Sequence, residues 1–485
     1  MKLKRKESTQ SAHLRQLRQA ELSACRSDLQ HAFAFLQMNL LGEAETLYLE
    51  VLQKTPEQPE ALHFLGSIAL IRADFETAVR LISQSLTINS KNPDGYNNLG
   101  YALLSCGQPE KAIVALEQAL VQKWDHAEAL NNLGNARQKI GDLAGAEECY
   151  QKAVVVQPRF AKAHYNLGAV YQSTNRSSEA IAAYLRTLEI QPSNAKACNN
   201  LALIYKEQGR NDDAIALLRQ VVALEPDNER ILQTLGIMLM EKKQFAEALG
   251  CFGKILRLNP DNTTAQHLHA ALSGNNPDAP PPEYVEEIFD HYAPFFEKHL
   301  TEKLQYRIPA LLRETLGEMT GQETRFSNVI DLGCGTGLAG LEFREMSDRL
   351  TGIDISASMI GVARGKNVYD RLCHGGVSKV LDELNEEVDL FVAADVLVYL
   401  GDLQPLFSSM VRRASQGAYF LFSIEATSAD GFILLPSGRY AHSSRYIADL
   451  AGEWGWTIRK RIDSVIRKED ETDISGEVYL LQFSR

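Results

Sequence analysis

The sequence predicts two folds in tandem: an all-α solenoid of paired helices over residues 25–272, then a doubly wound α/β domain over residues 283–485. Three observations carry this reading. Small and large residues recur with a period of 34 through the first half, a Pro- and Gly-rich stretch ends that period, and short apolar runs then alternate with helical patterns.

The period is set by Ala44, Ala78, Ala112, Ala146, Ala180, Ala214 and Ala248, each 34 residues from the next. Ala32, Gly66, Gly100, Gly134, Gly168, Ala202 and Gly236 keep the same spacing. Tyr48, Ile82, Leu116, Tyr150, Tyr184, Leu218 and Phe252 follow the alanines by four. Pro56, Pro158, Pro192, Pro226 and Pro260 close five of the units; Ser90 and Trp124 hold that place in the others. Small residues let paired helices approach closely, and large ones fill the gap between neighbouring pairs. This pattern resembles the tetratricopeptide repeat, two antiparallel helices per unit. No unit buries its apolar face alone, so seven repeats and a capping helix at Thr263 to Leu272 are expected to stack as one solenoid over 25–272. Residues 1–24 are polar and expected to form a mobile tail, and 273–282 a stiff, extended linker.

Beyond the linker, helical patterns cover Tyr284 to His299 and Leu304 to Leu316. Residues 328–332, 349–353, 388–393 and 418–423 then read as buried strands separated by helices, the signature of a parallel sheet covered on both faces. Trp456 to Ile466 and Glu477 to Phe483 read as a closing antiparallel pair at one edge.

The formal net charge of −12 argues against broad binding to nucleic acid or an anionic membrane, which needs a basic surface. The seven cysteines form no CxxC pair and no metal-ligand spacing. They read as small buried hydrophobes in a reducing cytoplasm, and no metal is expected. No apolar run is long enough to span a bilayer. Lys2, Lys4, Arg5 and Lys6 precede no apolar stretch, so no secretory signal is expected either. The expected location is the cytoplasm.

The chemistry is carried by Asp331-Leu-Gly333-Cys-Gly335-Thr-Gly337, directly after the first strand. Glycines there let the backbone turn sharply and come close to a ligand at a helix N-terminus. Asp354 ends the second strand 21 residues after Gly333, near the spacing for a carboxylate that grips ribose hydroxyls. A dinucleotide fingerprint would place its third glycine at position 338, which is Leu338.

The pattern acid-x-Gly-x-Gly-x-Gly resembles motif I of the class I S-adenosylmethionine-dependent methyltransferases, whose fold is Rossmann-like. The resemblance implies S-adenosyl-L-methionine as cofactor, with Asp331, Gly333, Gly335 and Gly337 as its floor. It places Asp354 on the ribose hydroxyls and Ile355 against adenine. It sets Asp395, in Ala393-Ala-Asp395-Val-Leu-Val-Tyr399, where cofactor meets acceptor. The family often has an acid or amide after the third strand; here Cys373-His374-Gly375-Gly376-Val377 has none, leaving His374 and glycine backbone beside adenine. Residues 289–299, Tyr306-Arg307 and 437–443 further resemble a group of bacterial methyltransferases preceded by tetratricopeptide repeats.

Methyl transfer from a sulfonium needs alignment and exclusion of water, and a general base only for some acceptors. Asp395, Tyr399 and His442 are the candidate catalytic residues, with Glu425 after the fifth strand also in range. Asp395 could equally cap a helix or hold the cofactor's amino group, and His442 could be a helix-start residue bonded to backbone. Arg439 and Tyr440 are candidates for binding substrate, Arg439 as a pointer to an anionic acceptor or as an ordinary ion pair. A small molecule is a possible acceptor. The run after the fourth strand lacks the Asp/Asn-Pro-Pro-aromatic signature of exocyclic-amine nucleic-acid enzymes.

Asn98, Asn132, Asn166 and Asn200 occupy one place in four successive repeats, on the helix that faces the concave groove. An amide offers a donor and an acceptor, so such a ladder can pair with a peptide backbone; equally it can pair with neighbouring groups and stabilise the stack. The function expected is a methyltransferase whose repeats recruit a protein partner or peptide substrate. The rival is an interaction scaffold whose α/β domain is weakly active or inactive. No nucleic acid or membrane partner is expected, and oligomeric state is left open.

Overall fold

The computed structural model of the protein describes residues 25–298, 300, 306–469 and 472–484. The expected N-terminal tail and the whole of residues 301–305 lie outside these. The chain divides into two compact units at Leu224/Glu225.

In the first unit, helix α1 (25–37) is followed by α2 (Leu41–Lys54), α3 (Pro59–Ile71), α4 (Phe75–Ile88), α5 (Pro93–Ser105) and α6 (Pro109–Gln122). Then come α7 (Ala127–Lys139), α8 (Leu143–Val156), α9 (Ala161–Ser173), α10 (Ser177–Ile190), α11 (Ala195–Glu207) and α12 (Asn211–Leu224). In the repeats whose small residue is glycine, the large residue lies on the small residue of the same pair. A Cβ on Gly100 would fall 2.4 Å from Leu116, and one on Gly168 2.6 Å from Tyr184. Thus the large side chain caps its own repeat's small residue. The turn after each first helix carries a left-handed residue: Asn39, Ala73, Gly107, Gly141, Asn175, Gly209 and, in the second unit, Lys243. That conformation reverses the chain in three residues.

The second unit opens with α13 (Glu229–Glu241), α14 (Phe245–Leu258) and α15 (Thr263–Ser273), the last ending on left-handed Gly274. The Pro- and Gly-rich stretch is fastened to the α/β part of the same unit. The Asn276 amide spans Phe432 O and Leu434 N at 2.8 and 2.6 Å, Asp402 N donates to Asp278 O, and Tyr440 Oη donates to Pro277 O. Its hydrogen bonds are therefore made to protein rather than left to solvent.

Next come α16 (Pro282–Tyr292), the single turn α17 (Phe296–Lys298) and α18 (Ile308–Thr320). The helix expected to run unbroken to His299 is interrupted at Ala293 to Phe295, where Pro294 cannot donate. Helix α18 starts later than expected because Pro309 sits in its first turn, a position that suits proline.

Then follow β1 (Phe326–Leu332), α19 (Leu338–Phe343), β2 (Ser347–Asp354), α20 (Ala357–Gly365), β3 (Arg371–His374), α21 (Val377–Glu383) and β4 (Val388–Ala393). The chain finishes with α22 (Gln404–Val411), β5 (Ala414–Glu425), β6 (Phe432–Leu434), β7 (Tyr440–His442), α23 (Ser444–Glu453), β8 (Trp456–Glu469) and β9 (Thr472–Phe483). The sheet order is β3-β2-β1-β4-β5-β9-β8, with β9 antiparallel to both neighbours. The closing pair is thus a hairpin whose second strand inserts beside β5. Apolar side chains fill both faces, Ile330, Phe391, Phe420 and Tyr479 on one and Val329, Leu350, Val392 and Leu480 on the other. Strands β6 and β7 pair separately and were not expected.

Candidate active site

Chain order reverses between β1 and β4, so their C-terminal ends flank the crevice where doubly wound sheets bind ligands. The turn 333–337 forms its floor. Gly333, Gly335 and Gly337 have φ of +67°, +52° and +93°, a region that side-chain-bearing residues enter only with strain. A Cβ on Gly333 would lie 2.5 Å from Val396, whereas one on Gly335 would meet only a Phe296 ring carbon at 3.7 Å. Gly335 is therefore the open rung of the turn.

Asp354 is buried, and its two oxygens accept the N–H groups of Gly335 and Ser356, each at 2.8 Å. Burial raises its pKa, opposed by those two bonds. Asp331 is 2% exposed. Its Oδ2 accepts the Tyr369 hydroxyl at 2.6 Å, while the buried Oδ1 has no hydrogen-bond partner among the described residues. Burial pushes its pKa up to about 7. Ile355 is half-buried, and its carbonyl accepts His374 Nε2 at 2.8 Å, which turns that imidazole onto the backbone after β2.

Helices α16 and α17 are fastened over these loops. Asp290 accepts Ser356 Oγ and Ser358 N at 2.6 and 3.1 Å, bonds that hold its pKa below the ordinary value. Glu297 pairs with Lys366 at 2.5 Å. Phe289 meets Tyr399 edge-on with centroids 4.9 Å apart, so one candidate catalytic residue borders the apolar underside of this cover.

Asp395 follows β4 with φ of +58°, its N–H donated to Ser423 Oγ at 2.9 Å. Its Oδ1 accepts Arg467 Nη1 at 3.2 Å, and Arg467 Nη2 reaches Glu425 Oε2 at 2.8 Å. Arg467 is 2% exposed and ties together the ends of β4, β5 and β8. It was missed from sequence because it stands 72 residues beyond Asp395, in a strand that also carries Arg459, Lys460, Arg461 and Asp463. The register shift between Val465 and Arg467 is what turns it inward.

Two expectations are corrected by burial. His442 is fully buried, donates Nε2 to Gly401 O at 3.0 Å and stacks on Tyr446. Burial drives its pKa down to about 4, so it is a neutral core group and not a base facing a ligand. Tyr440 is equally buried, its hydroxyl spent on Pro277, which removes it from substrate contact. Arg439 is half-buried and acts electrostatically on the Tyr284 hydroxyl. Tyr306 lies in the electrostatic field of Asp331, Asp395, Arg467 and Tyr399.

In the first unit each of the four asparagines bonds to a side chain of the preceding repeat. Asn132 and Asn166 donate to Asn97 and Asn131 of the preceding repeat at 2.9 Å, Asn166 also to Asn135 at 3.0 Å. Asn200 donates to Tyr184 Oη at 3.1 Å and Asn98 to Ser67 Oγ at 3.4 Å.

Residues 329–417 match the family model of a methyltransferase domain, and residues 81–114, 131–195, 183–216 and 205–272 match those of the tetratricopeptide repeat. The chain joins tetratricopeptide repeats to a methyltransferase domain. Its relatives include malonyl-[acyl-carrier protein] O-methyltransferases. That of Serratia marcescens is 26% identical over 127 residues, covering 26% of this chain and 49% of that protein. That of Yersinia pestis is 31% identical over 124 residues, covering 25% and 45%. The chain thus spans about half the length of the curated relatives it matches. Among solved structures, MamA is 29% identical, with a TM-score of 0.31 over 33% of this chain and 94% of that one. Among the described residues, no helix is long and apolar enough to cross a membrane, and no cluster of three or more His, Cys, Asp or Glu could hold a metal.

Proposed function

We propose that the protein is an S-adenosyl-L-methionine-dependent methyltransferase whose repeats recruit a protein partner or substrate. The observation that carries this is the left-handed glycine turn between two buried carboxylates at the sheet's crossover point. The residues fit that cofactor: Asp331 Oδ1 is a buried acceptor lacking a donor among the described residues, and little crowds the Cα side of Gly335. Asp331 would hold the amino group, Gly333, Gly335 and Gly337 the methionine and ribose portion, Asp354 the ribose hydroxyls and Ile355 the adenine. Each Asp354 oxygen accepts one backbone N–H, which leaves lone-pair capacity for a hydroxyl. When bound, the cofactor supplies an electrophilic methyl group.

The chain's own part is alignment and exclusion of water. Asp395, held by Arg467 and Ser423, faces the acceptor and orients its nucleophilic atom, with Tyr399 beside it. Phe289 and Phe296 keep solvent from the turn. The acceptor is a protein side chain or a small carboxylate or hydroxyl compound. Along the groove the Asn98, Asn132, Asn166 and Asn200 amide nitrogens bond to neighbouring side chains. Each amide keeps acceptor capacity on its carbonyl oxygen, and among the described residues Asn98 and Asn132 donate one side-chain bond each, so the ladder can pair with the backbone of an extended partner.

Incubating cell extract with the protein and methyl-labelled cofactor tests this reading. Label in a protein band or a small acidic or hydroxylic product supports it; no transfer above a no-enzyme control contradicts it. The rival reading, an interaction scaffold with a weak or silent domain, draws on the absence of an acid after β3 and on the prior engagement of Asp354 by two backbone amides.

A further inference from the structure

The ring of Tyr369 lies against three glycines, two of them, Gly340 and Gly352, outside the cofactor motif. A Cβ on Gly340 would lie 2.4 Å from its ring and hydroxyl, on Gly337 3.1 Å from its ring, and on Gly352 3.0 Å from its ring, with Cys334 and Leu372 at 2.9 Å. Helix α19, strand β2 and the turn are each pared back to admit one side chain from the loop after α20. The hydroxyl so delivered meets Asp331 Oδ2 at 2.6 Å, leaving Oδ1 as the oxygen without a hydrogen-bond partner among the described residues.

We propose that Tyr369 is a positioning residue for cofactor binding: it holds Asp331 so that one oxygen is committed to the protein and the other is presented, ionised, to the ligand's ammonium group. This rests on the cofactor reading above. A fully buried carboxylate aimed at an ammonium must be charged to bind it, and burial works against that charge. A donor on the far oxygen favours the ionised form and fixes the rotamer at once. Among the described residues, the other titratable groups facing Asp331 are Asp354 from β2, Tyr306 ahead of α18 and Cys334 within the turn, none of them a cation. Tyr369 is thus the neutral donor that Asp331 has among the described residues.

The test is calorimetric titration of S-adenosylhomocysteine into the full-length protein and its Tyr369→Phe variant from pH 6 to pH 9. Asp331 titrates near pH 7, so affinity of the parent falls as pH drops below that value. Loss of the hydroxyl moves this limb to higher pH, and the affinity gap between parent and variant widens to about tenfold at pH 6 while nearly closing at pH 9. Asp331→Asn removes the limb in either background. The proposal is overturned if Tyr369→Phe binds as the parent does at every pH, or is weaker by one constant factor throughout, which is what a merely structural ring contact would give. A parent that binds no S-adenosylhomocysteine at any pH overturns the cofactor reading instead. Tyr369→Phe keeps the ring that the glycines accommodate, and circular dichroism verifies that it folds.

Discussion

Asp354 Oδ2 accepts the Gly335 amide at 2.8 Å, so the end of the second strand holds the open rung of the turn that follows the first. The same carboxylate starts α20 through Ser356 N. Asp354→Ala leaves the buried Ser356 N–H and the part-buried Gly335 N–H without their acceptor, the buried one costing about 1–3 kcal/mol and the other less. Urea unfolding at pH 7 is expected to show a loss of roughly 2–4 kcal/mol. A loss below about 0.5 kcal/mol, the size of an ordinary surface change, contradicts the arrangement.

Arg467 is shared by Asp395 and Glu425 in the interior. Arg467→Met removes the cation that Asp395 and Glu425 share and is expected to cost about 3–5 kcal/mol. Adding Glu425→Gln should recover part of this, because it removes one of the two carboxylate charges. A double variant no more stable than the single, in the same denaturant titration, would show that the pair is not the cause.

For Asp331, a folded pKa of about 7 stands above its ordinary 3.8. The folded state holds this proton more tightly than the unfolded chain, so the contribution favours folding below pH 4 and is lost as pH rises to 7. Asp331→Asn retains an acceptor for Tyr369 and carries no charge. It should therefore be more stable than the parent at pH 8, by on the order of 1–4 kcal/mol, and near parity at pH 4. Thermal unfolding at the two pH values measures this, and a variant less stable at pH 8 contradicts it.

Along the solenoid, Asn166 makes two inter-repeat bonds at 2.9 and 3.0 Å and Asn98 one at 3.4 Å. Asn166→Ala should cost about 1–2 kcal/mol and Asn98→Ala less than about 0.5 kcal/mol. Replacing all four asparagines should also weaken partner capture while cofactor affinity stays unchanged. Equal melting shifts for the two single variants would refute the ranking.

Both halves of the fold were legible because each rests on local periodicity: 34 in the repeats, strand–turn–helix in the α/β domain. The glycine turn and Asp354 were legible for the same reason, being fixed by spacing around one strand. What was not legible depends on tertiary neighbours. His442 and Tyr440 have side chains suited to chemistry, but only the docking of Pro277 and Gly401 shows that both are spent in the interior. Arg467 and Tyr369 reach the site from distant segments, one turned in by a strand irregularity and one admitted by missing side chains. The asparagine ladder was visible as a pattern, yet the direction of its amides depends on residues one repeat away.

The most direct measurement is calorimetric titration of S-adenosylhomocysteine into the full-length protein at pH 8, beside Asp354→Ala. The account predicts one site per chain in the parent and at least about a hundredfold weaker binding in the variant, a loss of about 2.7 kcal/mol. Absence of binding in the parent, or equal affinity in the two proteins, contradicts it.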